Sequence, residues 1–304
     1  MQASELHIVE VGVRDGLQSE PRVVPTSQKI DLINALIDVG IRRIEVASFV
    51  NRERVPQMAD AEAVVAALPQ RSDCSYIGLA LNERGAERAI AAKIDEIGTA
   101  VPATETFGIR NQRQSPEEAI TELRKIVARA AQYETPVLSA IAMAFGCPFE
   151  GRVPQQRVID LARRMADTGI SEIALADTIG VAVPSQVADL FGQLREAVPH
   201  LPMRAHFHDT RNTGIANTWA AVQSGVYAVD ASVGGLGGCP FAPGATGNVA
   251  TEDVAYLLEQ SGVSLKLDLA RLVDIARGIS ASLERTLSSG ISRAGLPGPR
   301  DRQG

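Results

Sequence analysis

The sequence predicts a TIM-type (β/α)8 barrel followed by one additional carboxyl-terminal helix. Three observations predict it. Eight short β-branched or apolar runs recur, each separated from the next by an amphipathic stretch. Strict alternation of strand and helix calls for parallel pairing and fits a closed barrel better than an open sheet. The 304 residues, 45% hydrophobic and 22% charged, can build one sizeable core, and such barrels commonly take about 250 residues as one domain. Residues 1–304 are therefore read as a single catalytic domain.

The strands are expected at 6–13, 43–47, 75–81, 96–101, 136–144, 172–176, 203–207 and 226–232. Helical spacing marks 26–39, 116–131, 154–168 and 184–197, several of them opening on Ser, Thr or Pro. Gly40, Gly169 and Gly225 each stand where a helix closes ahead of the next strand. A further apolar helix, about 267–287, follows the eighth unit and either caps the barrel or pairs subunits. The Gly-, Pro- and charge-rich tail 295–304 is expected to be mobile.

Composition excludes several function classes. A net charge of −6 with dispersed Lys and Arg supplies no basic stripe for nucleic acid. No basic region followed by a long apolar run opens the chain, and no stretch approaches the ~20 apolar residues that span a bilayer. A cytoplasmic protein without membrane partners is expected. The odd, widely spaced cysteines, Cys74, Cys147 and Cys239, argue against a disulfide framework or a structural zinc cluster.

Barrel active sites lie at the carboxyl ends of the strands, so polar residues there carry the functional reading. His206 and His208 stand two apart on the seventh strand, and period-two geometry points both imidazoles to the lumen. Two of only four histidines on one face make a metal pair the stronger reading over satisfied core histidines. Oxygen ligands must then come from other strand ends. Asp15, directly after the first strand, is the best candidate, because the Arg14-Asp15 pair is otherwise costly to bury. Glu45 on the second strand and Asp177 after the sixth complete a ring of carboxylates. They act on a ligand, orient Arg14, or serve as core ion pairs.

Residues 234–248 contain six glycines around Cys239 and end at Asn248. Such a stretch reads as a lid, with Gly235, Gly237 and Gly238 giving the backbone freedom to move or to approach a ligand closely. Cys239 is placed to exchange a proton with the site, and Asn248 to offer a neutral oxygen ligand. A phosphate cradle is the weaker reading, since no Lys-Ser/Thr ending follows the glycines.

Taken together, Arg14-Asp15-Gly16-Leu17-Gln18, Glu45 to Ser48, Gly146-Cys147-Pro148, Asp177-Thr178-Ile179-Gly180, His206-Phe207-His208-Asp209-Thr210 and Gly237-Gly238-Cys239-Pro240 to Asn248 resemble the 3-hydroxy-3-methylglutaryl-CoA lyase family. The motifs run from Val9 to about Asp253, and their order and combination are highly specific. The resemblance implies a (β/α)8 barrel holding Mg²⁺ or Mn²⁺ on Asp15, His206, His208 and Asn248. It implies Arg14 as the stabiliser of an enolate and Cys239 as a proton carrier on the lid. Glu252 matches another position important in the family. The substrate implied is an acyl-CoA thioester of the 3-hydroxy-3-methylglutaryl-CoA type, cleaved by a retro-Claisen step to acetyl-CoA and a keto acid, acetoacetate for the parent compound. Gln18 and Ser48 would join Arg14 in holding it. A place in leucine catabolism and assembly as a homodimer or higher homo-oligomer are implied as well.

The chain departs from the family pattern on its fifth strand. Where the familiar lyases carry an Arg and, two residues on, a Tyr, this sequence has Leu138 and Ala140. A larger, more apolar pocket is the expectation, with citramalyl-CoA or a longer 3-hydroxy-3-alkylglutaryl-CoA as alternative substrates. The residues after His-Asp-Thr are also changed, to Arg211-Asn212-Thr213. A condensing acyltransferase of the same superfamily is the nearest rival. A zinc hydrolase barrel places its His-x-His pair on the first strand rather than the seventh. A non-catalytic scaffold would need neither a ligand set nor a Cys lid.

Overall fold

The computed structural model describes residues 6–238 and 247–298. Eight parallel strands close into a barrel in sequential order: β1 His7–Glu10, β2 Arg43–Ser48, β3 Ser75–Leu79, β4 Glu96–Pro102, β5 Val137–Ala142, β6 Glu172–Asp177, β7 Met203–Phe207 and β8 Ala228–Ala231. Closure is made by β1 and β8, whose register pairs His7 with Ala228 and Glu10 with Ala231. The predicted barrel is therefore the observed one.

Helices α1 Thr26–Asp38, α2 Ala61–Ala67, α3 Glu83–Ala91, α4 Glu105–Gln112, α5 Pro116–Ala131, α6 Gln155–Ala166, α7 Pro184–Ala197 and α8 Gly214–Gln223 link the strands. They bury one apolar stripe each against the outer face of the sheet, as Ile120, Leu123 and Ile126 of α5 do. Helix α5 starts at Ser115, whose side chain accepts from the Glu118 backbone while Glu118 returns the bond, with Pro116 at the first helical position. Gly40, Gly169 and Gly225 have φ of 107°, 91° and 86°, as expected for residues that end a helix.

Three differences from the sequence reading concern the site. The first strand stops at Glu10 rather than at residue 13. Its carboxylate accepts the Gly12 backbone N–H at 2.8 Å, and the chain turns there into the short π-helical segment Gly12–Gly16, which carries Arg14 and Asp15. Strands expected at 75–81, 136–144 and 226–232 are shorter, since their last residues already serve the loops of the carboxyl face. The helix expected at 267–287 is α10, Leu269–Ser282, after α9 Thr251–Gln260, and a separate short helix α11, Gly290–Ala294, follows it. Helix α10 packs on α1, α9 and the one-turn segment Val233–Gly235, so it buttresses the side of the barrel near the glycine-rich segment. Of the tail, residues 295–298 are described; 299–304 lie outside the described residues.

No described helix is long and apolar enough to cross a membrane.

Candidate active site

The carboxyl face of the barrel opens into a cavity of about 990 Å³. Arg14, Asp15, Gln18, Glu45, His206 and His208 all line it, drawn from the segment after β1, from β2 and from the end of β7. The side-chain donors of Asp15, His206 and His208 lie within 4.8 Å of one another. His206 and His208 share the lumen face of β7, their ring centroids 5.2 Å apart. His208 Nε2 stands 4.0 Å from Asp15 Oδ2.

A fourth donor residue comes from across the sequence. Segment 247–251 is laced onto the ends of β7 and β8: Val249 donates to Phe207 O at 3.1 Å, Ser232 to Val249 O at 3.0 Å and Asp209 to Gly247 O at 2.9 Å. This lacing presents Asn248 beside His208. Its Nδ2 donates to Asp15 Oδ2 at 2.8 Å, while its buried Oδ1 has no hydrogen-bond partner among the described residues. A buried amide oxygen without a donor is costly, and a cation would satisfy it. Two imidazoles, a carboxylate and an orphaned amide oxygen fit a divalent ion.

The electrostatics keep these donors available. His206 Nδ1 lies 3.0 Å from Asp230 Oδ2, a contact that in the neutral imidazole sets the hydrogen on Nδ1 and leaves the lone pair on Nε2. Burial and the positive side chains around it act oppositely on Asp15; Arg14 and the two histidines prevail and hold its carboxyl well below the usual range. Burial pushes the His208 imidazole down to about 4, so it stands neutral at ordinary pH. Arg14 is clamped, one Nη donating to Asp15 Oδ1 at 2.7 Å and the other to Glu45 Oε2 at 2.6 Å, and its Nε is buried without a partner. These carboxylates offset the cost of burying the guanidinium and raise its affinity for its proton.

Several predicted residues are placed elsewhere. Asp177 does not line the cavity; its two oxygens accept from the Val181 and Ala182 backbones at 2.9 and 2.8 Å and close the turn after β6. Ser48 is fully buried, its hydroxyl without a partner and away from the cavity wall. On β5, Ala140 lines the cavity with Ala142, whereas Leu138 packs lower in the barrel with Val9, Val11, Ile77 and Ala228. Gly237 and Gly238 border the cavity, while Gly235 is buried against Ser288. At Gly237, φ is 129° and a Cβ would sit 2.8 Å from Asn248 Nδ2, so only glycine fits there. Cys239 lies outside the described residues.

Sequence reading missed two residues of the cavity wall, Arg204 and Asp230. Their signal was the same period-two logic: Arg204 stands two before His206 on the lumen face, one layer deeper, and Asp230 sits on β8 opposite it. Because of them the floor is not the apolar one that Leu138 and Ala140 suggest. The fifth strand supplies no cation, but the seventh does. Glu252 is buried under the glycine-rich segment, accepting from Gly234 N at 3.0 Å and from the Ser292 hydroxyl at 2.7 Å. Arg110 borders the mouth, its guanidinium 4.3 Å from the Phe149 ring centroid; Arg113 does not border it.

The comparisons with known proteins follow this geometry. The family model HMGL-like matches residues 5–279. A cytoplasmic 3-hydroxy-3-methylglutaryl-CoA lyase of Danio rerio is 40% identical over 287 residues, 94% of this chain and 86% of that protein. The (R)-citramalyl-CoA lyase of Chloroflexus aurantiacus is 38% identical over 298 residues, 95% of this chain and 94% of that protein. Among solved structures, an HMG-CoA lyase from Acinetobacter baumannii in complex with coenzyme A and 3-methylmalate superimposes with a TM-score of 0.92 at 37% identity, covering 98% of this chain and 99% of that one. The carboxyl transferase domain of Rhizobium etli pyruvate carboxylase, 19% identical with a TM-score of 0.73, shares the fold alone. By sequence over nearly its whole length the chain belongs to the HMGL-like family.

Proposed function

We propose that this protein is a divalent-metal-dependent carbon–carbon lyase of the 3-hydroxy-3-methylglutaryl-CoA lyase type, acting on a short 3-hydroxy-3-alkylacyl-CoA. The observation that carries the reading is the convergence of Asp15, His206 and His208 beside a clamped Arg14, with Asn248 hydrogen-bonded to Asp15 through its Nδ2. Asp15, His206, His208 and Asn248 would hold Mg²⁺ or Mn²⁺. The cation, when bound, supplies Lewis-acid polarisation of the tertiary hydroxyl of the substrate.

The chain's own residues supply the rest. Asp15 or His206, both on the cavity wall, would accept the proton of that hydroxyl. As its alkoxide becomes a ketone, the C2–C3 bond breaks and its electron pair passes to the thioester as an enolate. The Arg14 guanidinium is fixed before reaction and needs no protonation change to stabilise that charge. Cys239, at the centre of the glycine-rich segment, would return a proton to the enolate carbon and release acetyl-CoA. Gln18 borders the acyl cavity, and assembly as a homodimer is part of the proposal.

A second substrate, citramalyl-CoA, is favoured by two observations: the small Ala140 on the cavity wall and the 38% identity to the (R)-citramalyl-CoA lyase. Mass-spectrometric assay with Mg²⁺ or Mn²⁺ tests the proposal. It offers 3-hydroxy-3-methylglutaryl-CoA, citramalyl-CoA and a long-chain 3-alkyl analogue, beside a His208→Ala control. Metal-dependent release of acetyl-CoA with one clear preference is expected. Turnover of none, with metal demonstrably bound, moves the assignment to a condensing reaction.

A further inference from the structure

Arg204 is a charged side chain of the cavity wall, on the same face of β7 as His206 and two residues nearer the amino end of the strand. It is more than nine-tenths buried. Its Nε stands 3.2 Å from Glu172 Oε1 and 3.5 Å from Asp230 Oδ1, yet neither contact has hydrogen-bond geometry. All three atoms are buried without a hydrogen-bond partner among the described residues. The other oxygen of each carboxylate is committed elsewhere: Glu172 Oε2 to Arg43 at 2.9 Å, and Asp230 Oδ2 to His206 at 3.0 Å. A guanidinium has five donors in a planar fork, and buried donors of a native protein are nearly always matched. Gly98, Ala100, Ala140 and Ala142 line the same cavity, small residues that leave it room for an acyl unit.

We propose that Arg204 is the residue that recognises the free carboxylate of the acyl unit. The inference rests on the lyase reading above and names the specificity determinant of the same site. A carboxylate set against the fork makes charge-assisted, bidentate hydrogen bonds, which Lys cannot reproduce. Arg204 thereby restricts the enzyme to acyl-CoA esters that bear an acid at the far end and disfavours neutral ones of the same shape. It also aligns the C2–C3 bond with Arg14, which acts on the other product fragment.

The test compares 3-hydroxy-3-methylglutaryl-CoA and citramalyl-CoA with 3-hydroxy-3-methylbutyryl-CoA, which has the same tertiary alcohol and no free carboxylate. Each is assayed with the wild-type enzyme, Arg204→Leu and Arg204→Lys at saturating Mn²⁺. In Arg204→Leu the preferred acid substrate is expected to lose about 10- to 100-fold in kcat/KM, mostly through KM, and the neutral one less than about threefold. Arg204→Lys should fall between. The acid-to-neutral ratio is taken on one preparation, so it does not depend on the folded fraction, and Arg204→Lys reads it if the leucine variant does not fold. An equal loss on acid and neutral substrates, or an unchanged ratio, makes Arg204 structural and overturns the inference while leaving the lyase intact. Cleavage of no substrate by the wild type overturns the lyase reading itself, and this inference with it.

Discussion

Asn248 donates its Nδ2 hydrogen to Asp15 Oδ2 at 2.8 Å, although 233 residues separate the two in the chain. One amide thus holds a carboxylate in place while its own oxygen is buried and unmatched among the described residues, beside His208 in the backbone bridge. Asn248→Ala should therefore weaken metal binding in two ways, by removing a ligand and by releasing Asp15. Mn²⁺ titration followed by electron paramagnetic resonance is expected to show at least about a tenfold loss of affinity. Dialysis against a chelator should abolish activity, and Mg²⁺ or Mn²⁺ should restore it. Undiminished Mn²⁺ affinity in the variant would remove Asn248 from the ligand set.

Asp230 acts on the same centre through His206. Asp230→Asn keeps the shape but can present an N–H to Nδ1, which invites the other tautomer and puts a hydrogen on Nε2. The expected result is a 10- to 100-fold drop in metal affinity, roughly that of a lost outer-sphere partner, with normal thermal unfolding of the apoprotein within a few degrees. A variant that binds Mn²⁺ like the wild type would show that this contact does not govern the ring.

Arg14 is the stabiliser of developing charge in the proposed reaction. Arg14→Lys retains a cation but cannot span Asp15 and Glu45 while presenting a third donor. Steady-state kinetics should show kcat reduced by roughly 100- to 1000-fold, with KM changed little, as for removal of a preorganised oxyanion donor. A loss confined to KM would mean that Arg14 binds ground state and transition state alike.

Glu10 links stability to pH. It is buried and accepts from Gly12 N, Val233 N and the Thr251 hydroxyl, tying the end of β1 to both ends of the glycine-rich segment. Burial pushes its carboxyl up to about 7 from 4.5. The folded protein therefore holds this proton more tightly than the unfolded chain does. The stability it contributes is complete below about 4.5 and is lost as pH rises through about 7. Urea unfolding at pH 5 and pH 8 should show Glu10→Gln losing less stability over that interval than the wild type, by up to about 3 kcal/mol. Parallel pH profiles for the two proteins would refute the assignment.

The periodicity of eight apolar runs determined the barrel, since parallel strands covered on both faces must be nearly continuous in hydrophobicity and separated by helices long enough to cross back. The two-residue spacing of His206 and His208 determined their shared face, because side chains alternate along a strand whatever its surroundings. Arg14 and Asp15 were visible as a charged pair at a strand end, but not the π-helical turn at Gly12–Gly16 that lets Arg14 reach Glu45. Asp177 shows the opposite case. Its place after a strand is the same as that of a site residue, yet its oxygens are spent on the backbone of its own turn. Local sequence does not state which way a carboxylate turns, because the competing partners are backbone groups whose positions follow from the tertiary fold. Arg204 and Asp230 were hidden for the same reason. Each is a lone charge in an apolar run, and only closure of β7 against β8 shows that they meet Glu172 and His206 inside the barrel. The sequence by itself determined the fold, the residue types of the proposed metal site and the family; barrel closure decided which charges face one another, because only then do side chains from distant strands meet in one lumen.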